Sequence, residues 1–246
     1  MEIGEQIGKF AEILRESKNM VFFGGAGVST ASGIPDFRSA NGLYNQKFRR
    51  VLSPEEMVSH SFFVRDPEDF FAFYKEKLVY PEAEPNDCHK ALAELEARGI
   101  CKAVVTQNID GLHQKAGSRT VFELHGSVLR NHCTRCGRYF GVDSVLKAPG
   151  VPRCDCGGVI KPDVVLYEEG LDDTVIRGAV RAISSAETLV IGGTSLVVYP
   201  AAGFVGYFRG KHLVVINMTP TGADEEAELV IHAPIEKVFA EALKQL

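Results

Sequence analysis

The sequence predicts a doubly wound α/β fold on a parallel sheet, with a small cysteine-rich ribbon and a helical module inserted. Three observations lead there. Short apolar runs alternate with amphipathic helical patterns, the mark of repeated β–α units. Two of those runs end in glycine clusters, Gly24-Gly25-Ala26-Gly27 and Gly192-Gly193, at the strand ends where such sheets bind ligands. Between strand signals, Cys133-Thr134-Arg135-Cys136 and Cys154-Asp155-Cys156 place two close cysteine pairs in one short segment.

A chain of 246 residues can bury a substantial core as one domain or two. With 45% hydrophobic and 24% charged residues it belongs with soluble globular proteins. A formal charge of −5 argues against a general nucleic-acid binder. Lys47 to Arg50 and Arg130 to Arg138 then read as solvated faces or substrate rims. The N-terminus lacks the basic-then-apolar pattern of a signal peptide, and no apolar run has bilayer length, so a cytoplasmic location is the default expectation. In a reducing compartment the cysteine cluster favours metal over disulfides.

Residues 2–18 carry Ile3, Ile7, Phe10, Ile13 and Leu14 on one helical stripe, which should pack on the sheet. Met20 to Phe23 reads as a buried strand. Gly24, Gly25 and Gly27 let the backbone turn and approach a ligand closely. Ser29 and Thr30 follow, able to cap a helix or donate to a phosphate. A strand, a glycine turn and exposed N–H groups suit a pyrophosphate, although Thr30 occupies the third glycine position of the dinucleotide fingerprint. Asp36, Phe37 and Arg38, after Pro35, form either a surface loop with a local ion pair or a flap over a nucleotide.

In residues 39–79, helix starts stand at Ser53-Pro54-Glu55-Glu56 and Asp66-Pro67-Glu68. Phe62, Phe63, Phe70, Phe71 and Phe73 read as the core of a helical subdomain. Asn86 caps a predicted helix running to Arg98, with Gly99 as its stop. Cys101 to Thr106 is a strand, and Gln107-Asn108-Ile109-Asp110 lies at its carboxyl end. Those polar side chains either serve a site or cap the helix that begins near Asp110. Val121 to Leu124 is a further strand, closed by His125-Gly126. A lone histidine there is either a hydrogen-bonded structural residue or a proton acceptor near neutral pH.

Cys133, Cys136, Cys154 and Cys156 have zinc-ribbon spacing, apart from the single residue between the last two. Four thiolates fill a tetrahedral Zn²⁺ and leave no open position, so one structural metal is expected; four free thiols are the alternative. Gly157 and Gly158 give the following turn freedom to close. Cys88 and Cys101 fall in regular elements and read as core.

A helix from about Asp172 to Ser184 precedes the strand Thr188 to Ile191. Its end, Gly192-Gly193-Thr194-Ser195, suits ribose and phosphate contacts. Leu213 to Ile216, ending at Asn217, and Leu229 to Ile231 complete the strands, and Ala233-Pro234-Ile235 opens the last helix. No internal repeat, low-complexity segment or long linker is evident.

Gly25-Ala26-Gly27-Val28-Ser29 with Ser32-Gly33-Ile34-Pro35-Asp36-Phe37-Arg38 resembles the signature of the sirtuins, the NAD-dependent protein deacylases, in their bacterial type. Matching motifs recur from residue 20 to the C-terminal region. The resemblance implies one catalytic domain over residues 1–246. Its Rossmann-like large part would take residues 1–38, 80–130 and 162–246, its helical segment 39–79, and its zinc-ribbon module 131–161. It makes His125, in Leu124-His125-Gly126, the general base, with Asn108 and Asp110 holding ribose hydroxyls or the nicotinamide amide. Arg38 and Gln107 would fix the cofactor with Ala26, Gly27, Thr30 and Ile109. Phe37 would shield the reactive face. Thr194 and Ser195 would serve ribose and phosphate, Asn217 the adenosine ribose and Ile235 the adenine.

By the same resemblance, Lys161 to Glu169 lines an acyl-lysine tunnel, with Val165 and Tyr167 on its wall. Leu196 to Pro200 matches a second peptide-contacting strand, represented by Leu196 and Val197. Acetylated peptides would bind by strand addition. Tyr167-Glu168-Glu169 stands where the family often has Phe-Gly-Glu; the extra carboxylate favours basic peptide flanks or faces solvent. Desuccinylating members resemble one another in a Tyr-x-x-Arg pair, and here Tyr74 is followed by Lys77 in the arginine's place. Lysine lacks the guanidinium fork, so acetyl is the expected acyl group. The implied reaction begins when the substrate carbonyl attacks the ribose carbon and nicotinamide leaves. His125 then activates a ribose hydroxyl, giving lysine and acyl-ADP-ribose. A non-catalytic NAD-sensing or partner-binding module stabilised by zinc and an ADP-ribosyltransferase are the competing readings. The joint presence of His125, Asn108 and Asp110 disfavours the first.

Overall fold

The computed structural model of the chain describes residues 2–36, 42 and 52–246. Helix α1 (Ile3–Glu16) leads into strand β1 (Met20–Gly24). Ile7, Phe10, Ile13 and Leu14 are buried, as the stripe predicts, but Ile3 is 52% exposed. It is the first residue of α1, so its side chain overhangs the open end of the helix.

Three short helices follow: α2 (Pro54–Met57), α3 (His60–Arg65) and α4 (Pro67–Lys77). Ser53 caps α2 in a full capping box with Glu56, and Pro67 opens α4. Helix α5 (Asp87–Ala97) is capped by Asn86 and stops at Gly99, whose φ of 76° only glycine adopts freely. Strand β2 (Cys101–Thr106), helix α6 (Leu112–Ala116) and strand β3 (Val121–Glu123) complete the first half of the large sheet. Cys88 and Cys101 are buried in the core, as expected.

The chain then leaves the large sheet. Strand β4 (Gly126–Cys133) begins directly after His125 and pairs antiparallel with β5 (Tyr139–Gly141) and β6 (Ile160–Val164), with α7 (Val142–Leu146) between those two. Helix α8 (Asp173–Ser185), capped by Asp172, returns the chain to strands β7 (Thr188–Gly192), β8 (His212–Ile216) and β9 (Leu229–Ile231). Helix α9 (Ile235–Leu243) is the last. Leu196 to Pro200 is not a strand. Leu196 has φ 54°, Tyr199–Pro200 is a cis peptide, and the segment turns into a 3-10 helix over Ala201–Tyr207. A segment with no neighbouring strand has nothing to exchange ladder hydrogen bonds with.

The six-stranded sheet is parallel throughout, in the order β3-β2-β1-β7-β8-β9. One face packs on α1, α5 and α9, the other on α8 and the 3-10 helix. Burial on both faces explains why β1 and β7 read as unbroken apolar runs. The order reverses at β1, whose neighbours are β2 and β7. Their carboxyl ends form the topological switch point where ligands enter such sheets.

A second core joins the helical segment to the three-stranded sheet. Phe62, Phe63, Phe70, Phe71, Phe73 and Tyr74 pack with Val128, Cys133, Cys154, Ile160, Val164 and Leu166. Burying each phenylalanine contributes about 2–3 kcal/mol. The helical segment and the ribbon are therefore one packed body. Among the described residues, no helix is long and apolar enough to cross a membrane.

Candidate active site

A cavity of about 980 Å³ opens at the switch point. One wall is the glycine loop after β1. Gly27 N–H donates to Gly193 O at 2.8 Å, and a Cβ on Gly27 would lie 2.8 Å from Gly193 Cα. The two loops can interlock only without side chains, which leaves a cradle of bare backbone. Ala26, Gly27 and Thr30 line it on one side, Thr194 and Ser195 on the other. Asn217 and Ile235 line the far end, beyond β8 and at the start of α9. Phe37 and Arg38 lie outside the described residues, as does the Lys47 to Arg50 cluster.

The end of β2 brings Gln107, Asn108, Ile109 and Asp110 to the same cavity. Gln107 Nε2 donates to Thr194 Oγ1 at 3.0 Å, tying β2 to the β7 loop. Asp110 accepts twice, from Leu112 N at 2.9 Å and from the Ser29 hydroxyl at 2.7 Å. The carboxylate thus ties the first backbone N–H of α6 to the glycine loop, while Gly111 holds the N-cap position itself. Burial pushes the Asp110 pKa up, against the pull of those two donors. Asn108 Nδ2 donates to Ser29 Oγ at 3.0 Å. Ser29 is buried and joins both predicted residues, a placement that the sequence reading of Ser29 as a cap or phosphate donor missed. Its hydroxyl faces Asp110 only because β1 and β2 are adjacent strands.

His125 sits where β3 gives way to β4. Gly126 makes the sharp exit possible: it has φ 76°, and a Cβ there would lie 1.7 Å from Asp163 O. His125 Nδ1 is 2.9 Å from Gln107 O. A carbonyl only accepts, so Nδ1 carries the proton and Nε2 keeps the lone pair. Burial lowers the imidazole pKa below its usual value, partly opposed by the Gln107 carbonyl. The ring is therefore a neutral base on the cavity wall.

The third wall is residues 164–169. Val165 and Tyr167 line the cavity, and Tyr167 is fixed to the helical segment: Tyr167 N donates to Val58 O, and Tyr167 O accepts from His60 N. Glu168 is exposed but not idle. It has φ 76°, and its carboxylate accepts from Ser61 N at 2.8 Å. Glu169 accepts from His60, Lys161 and Leu166 N. Leu196 and Val197 are not among the lining residues; the following turn, Val198 to Pro200, is. Lys77 reaches the cavity, with Glu76 3.1 Å away. Tyr74 does not: it is buried and stacked on Phe70 at 5.8 Å.

Away from the cavity, the Sγ atoms of Cys133, Cys136, Cys154 and Cys156 lie within 4.8 Å of one another. Cys133 and Cys156 are 3.4 Å apart, Cys136 and Cys154 3.7 Å. A disulfide needs about 2.05 Å, whereas a tetrahedron of ~2.3 Å Zn–S bonds spaces its sulfurs near 3.8 Å. The set fits Zn²⁺. Gly158 makes room, since a Cβ there would lie 2.6 Å from Cys133 Sγ.

Interlocked glycine loops at a switch point are the arrangement of dinucleotide-binding α/β proteins, and here a neutral imidazole is added to it. The Sir2 family model matches residues 25–200, and this chain belongs to the Sir2 family. An NAD-dependent protein deacetylase of Clostridium perfringens is 63% identical over 241 residues, covering 97% of this chain and 99% of the relative. One of Staphylococcus aureus is 45% identical over 221 residues, 89% of this chain and 90% of the relative. A Sir2 structure with p53 peptide and NAD⁺ superposes with TM-score 0.84 at 38% identity, covering 97% of this chain and 98% of that one. Another, with deacetylated p53 peptide and 3′-O-acetyl-ADP-ribose, gives 0.88 at 38% identity, over the same shares of both chains.

Proposed function

We propose that this chain is an NAD-dependent protein-lysine deacetylase that moves the acetyl group from lysine to ADP-ribose with release of nicotinamide. The observation that carries this reading is the state of His125: proton on Nδ1, free lone pair on Nε2, on the wall of a cavity with a backbone cradle. Bound NAD supplies a ribose carbon whose bond to nicotinamide breaks readily. The cradle formed by Ala26, Gly27, Thr30, Thr194 and Ser195 holds the phosphates and ribose through backbone N–H groups and hydroxyls. Asn217 and Ile235 take the adenosine end.

Asn108 spends its amide nitrogen on Ser29, so its Oδ1 is the atom offered to the ligand. Asp110 holds Ser29 in place and presents a carboxylate to ribose hydroxyls or the nicotinamide amide, with Gln107 and Ile109 beside it. His125 Nε2 takes the proton from a ribose hydroxyl, the step that makes that oxygen nucleophilic. By family resemblance, Phe37 would shield the reactive face and Arg38 would help fix the cofactor.

Val165 and Tyr167 offer an apolar wall to the acetyl group. The peptide lies extended between residues 164–169 and the turn 198–200, the segments that line the cavity, through backbone bonds that tolerate many sequences. One Zn²⁺ on the four cysteines stabilises the ribbon without touching the reaction. The whole of residues 1–246 acts as one catalytic domain, in the cytoplasm, with protein substrates and not nucleic acid.

Incubation with NAD and an acetyl-lysine peptide tests the reading by mass spectrometry. Deacetylated peptide, nicotinamide and acetyl-ADP-ribose should form in equal amounts. Nicotinamide release with the peptide still acetylated would overturn it in favour of ADP-ribosyl transfer.

A further inference from the structure

The glycine loop that cradles the cofactor is stitched on its inner edge by Gly25 N to Gly192 O and Gly27 N to Gly193 O. Its outer edge meets Asn86, the residue that caps α5. Asn86 Oδ1 accepts from Cys88 N at 3.0 Å, which satisfies the cap. That leaves the two N–H bonds of Nδ2. One goes to Val28 O at 2.8 Å, the other to Ser32 Oγ at 2.9 Å. Between those two anchor points lie Ser29, which holds Asp110, and Thr30, which lines the cavity.

We infer that Asn86 is a positioning residue for the NAD reaction, holding the outer edge of the cofactor loop through both protons of one amide nitrogen. This rests on the deacetylase reading above. The chemistry of the side chain carries it. A helix N-cap asks only for an acceptor, which Ser, Asp or Asn supplies equally well. Val28 O can only accept, so it asks for a donor at the same site, and of those three only the amide is long enough and still carries one. Asn86 does not line the cavity, so its effect reaches the cofactor through the loop.

Asn86→Asp separates the two roles. The carboxylate still accepts from Cys88 N but faces Val28 O with an oxygen where a donor stood. Asn86→Ser is a second variant that keeps the cap and is too short to reach the loop. Both should melt within about 3 °C of the parent, because the cap survives. By calorimetry and initial rates, both should weaken NAD and ADP-ribose binding and raise the KM for NAD by about 5- to 30-fold, the range expected for one or two lost hydrogen bonds. Affinity for the acetylated peptide alone should be unchanged. Folded variants that bind NAD like the parent would overturn the inference, as would equal losses for NAD and peptide, or loss of the fold in both variants. A parent that binds no NAD would sink the deacetylase reading itself, and this one with it.

Discussion

His125 is held by a carbonyl that can accept from only one of its nitrogens, which sets its tautomer. Replacing it with Ala should leave the fold intact and lower turnover by ~10²–10⁴-fold, the usual loss for a general base. The pH profile gives a second check. Burial lowers the His125 pKa, so the base loses its lone pair only when pH falls below the usual imidazole range. The acid limb of kcat/KM should therefore lie below pH 6.5, the ordinary imidazole value. A limb above that value that survives in His125→Ala would remove this residue from the mechanism. Acyl choice also rests on single residues. Tyr74 is locked in the second core and Lys77 stands beside Glu76, so Tyr74 and Lys77 do not face the cavity as a pair. One peptide carrying acetyl-lysine or succinyl-lysine should be turned over faster as the acetyl form, and the opposite order would refute this.

At the scale of elements, the ribbon depends on its metal. Four thiolates this close repel one another once the cation is gone, and structural zinc contributes on the order of 10 kcal/mol to such a unit. One zinc per chain should be found by metal analysis. Its removal by a chelator, or by Cys136→Ala, should unfold β4 to β6. The consequence should not stop there, because Cys133 and Cys154 pack in the same core as Phe63, Phe70 and Phe71. Tyr167 hangs from that core through Val58 and His60. Peptide binding should fail with the metal, while ADP-ribose binding to the large sheet should persist. Proteolysis of the zinc-free protein should then cut within residues 126–164 first; a ribbon that resists both chelator and protease would exclude a structural metal.

Across the whole molecule, α5 and α6 meet through two histidines. The rings of His89 and His113 lie 4.7 Å apart, and both are fully buried. His89 Nδ1 accepts from Asn86 N, while His89 Nε2 and both nitrogens of His113 have no partner. Burial lowers the His89 pKa to about 4, and burial with the neighbouring His89 pushes His113 well below its ordinary value. The sign follows from proton uptake. Above pH 6.5 both histidines are neutral in either state. Below it the unfolded chain binds protons that the folded chain refuses, so stability falls as pH drops toward 4. His89 alone accounts for a loss on the order of 3 kcal/mol across that window. Urea midpoints measured from pH 7 to 4 should fall accordingly, and His113→Phe should flatten the slope. A midpoint independent of pH would mean that these rings are solvated.

Much of this molecule follows from local chemistry. The strands β1, β2, β7 and β8 are apolar because both faces of a parallel sheet are buried, so a short window of sequence reveals them. Caps at Ser53, Asn86 and Asp172 and the stop at Gly99 are equally local, since each satisfies backbone groups within a few residues. The paired cysteines announce a metal because four thiolates have few other uses in a reducing setting. Other features needed the assembled chain. Ser29 joins Asn108 and Asp110 only through the adjacency of β1 and β2, and Asn86 reaches the cofactor loop only because α5 packs beside it. Strand β4 escaped notice because its partners are a three-residue strand and a segment some thirty residues on. Leu196 to Pro200 has the apolar content of a strand but no neighbour to pair with. Residue type and spacing determine which groups are available; which of them meet is decided by strand order, a property of the whole chain.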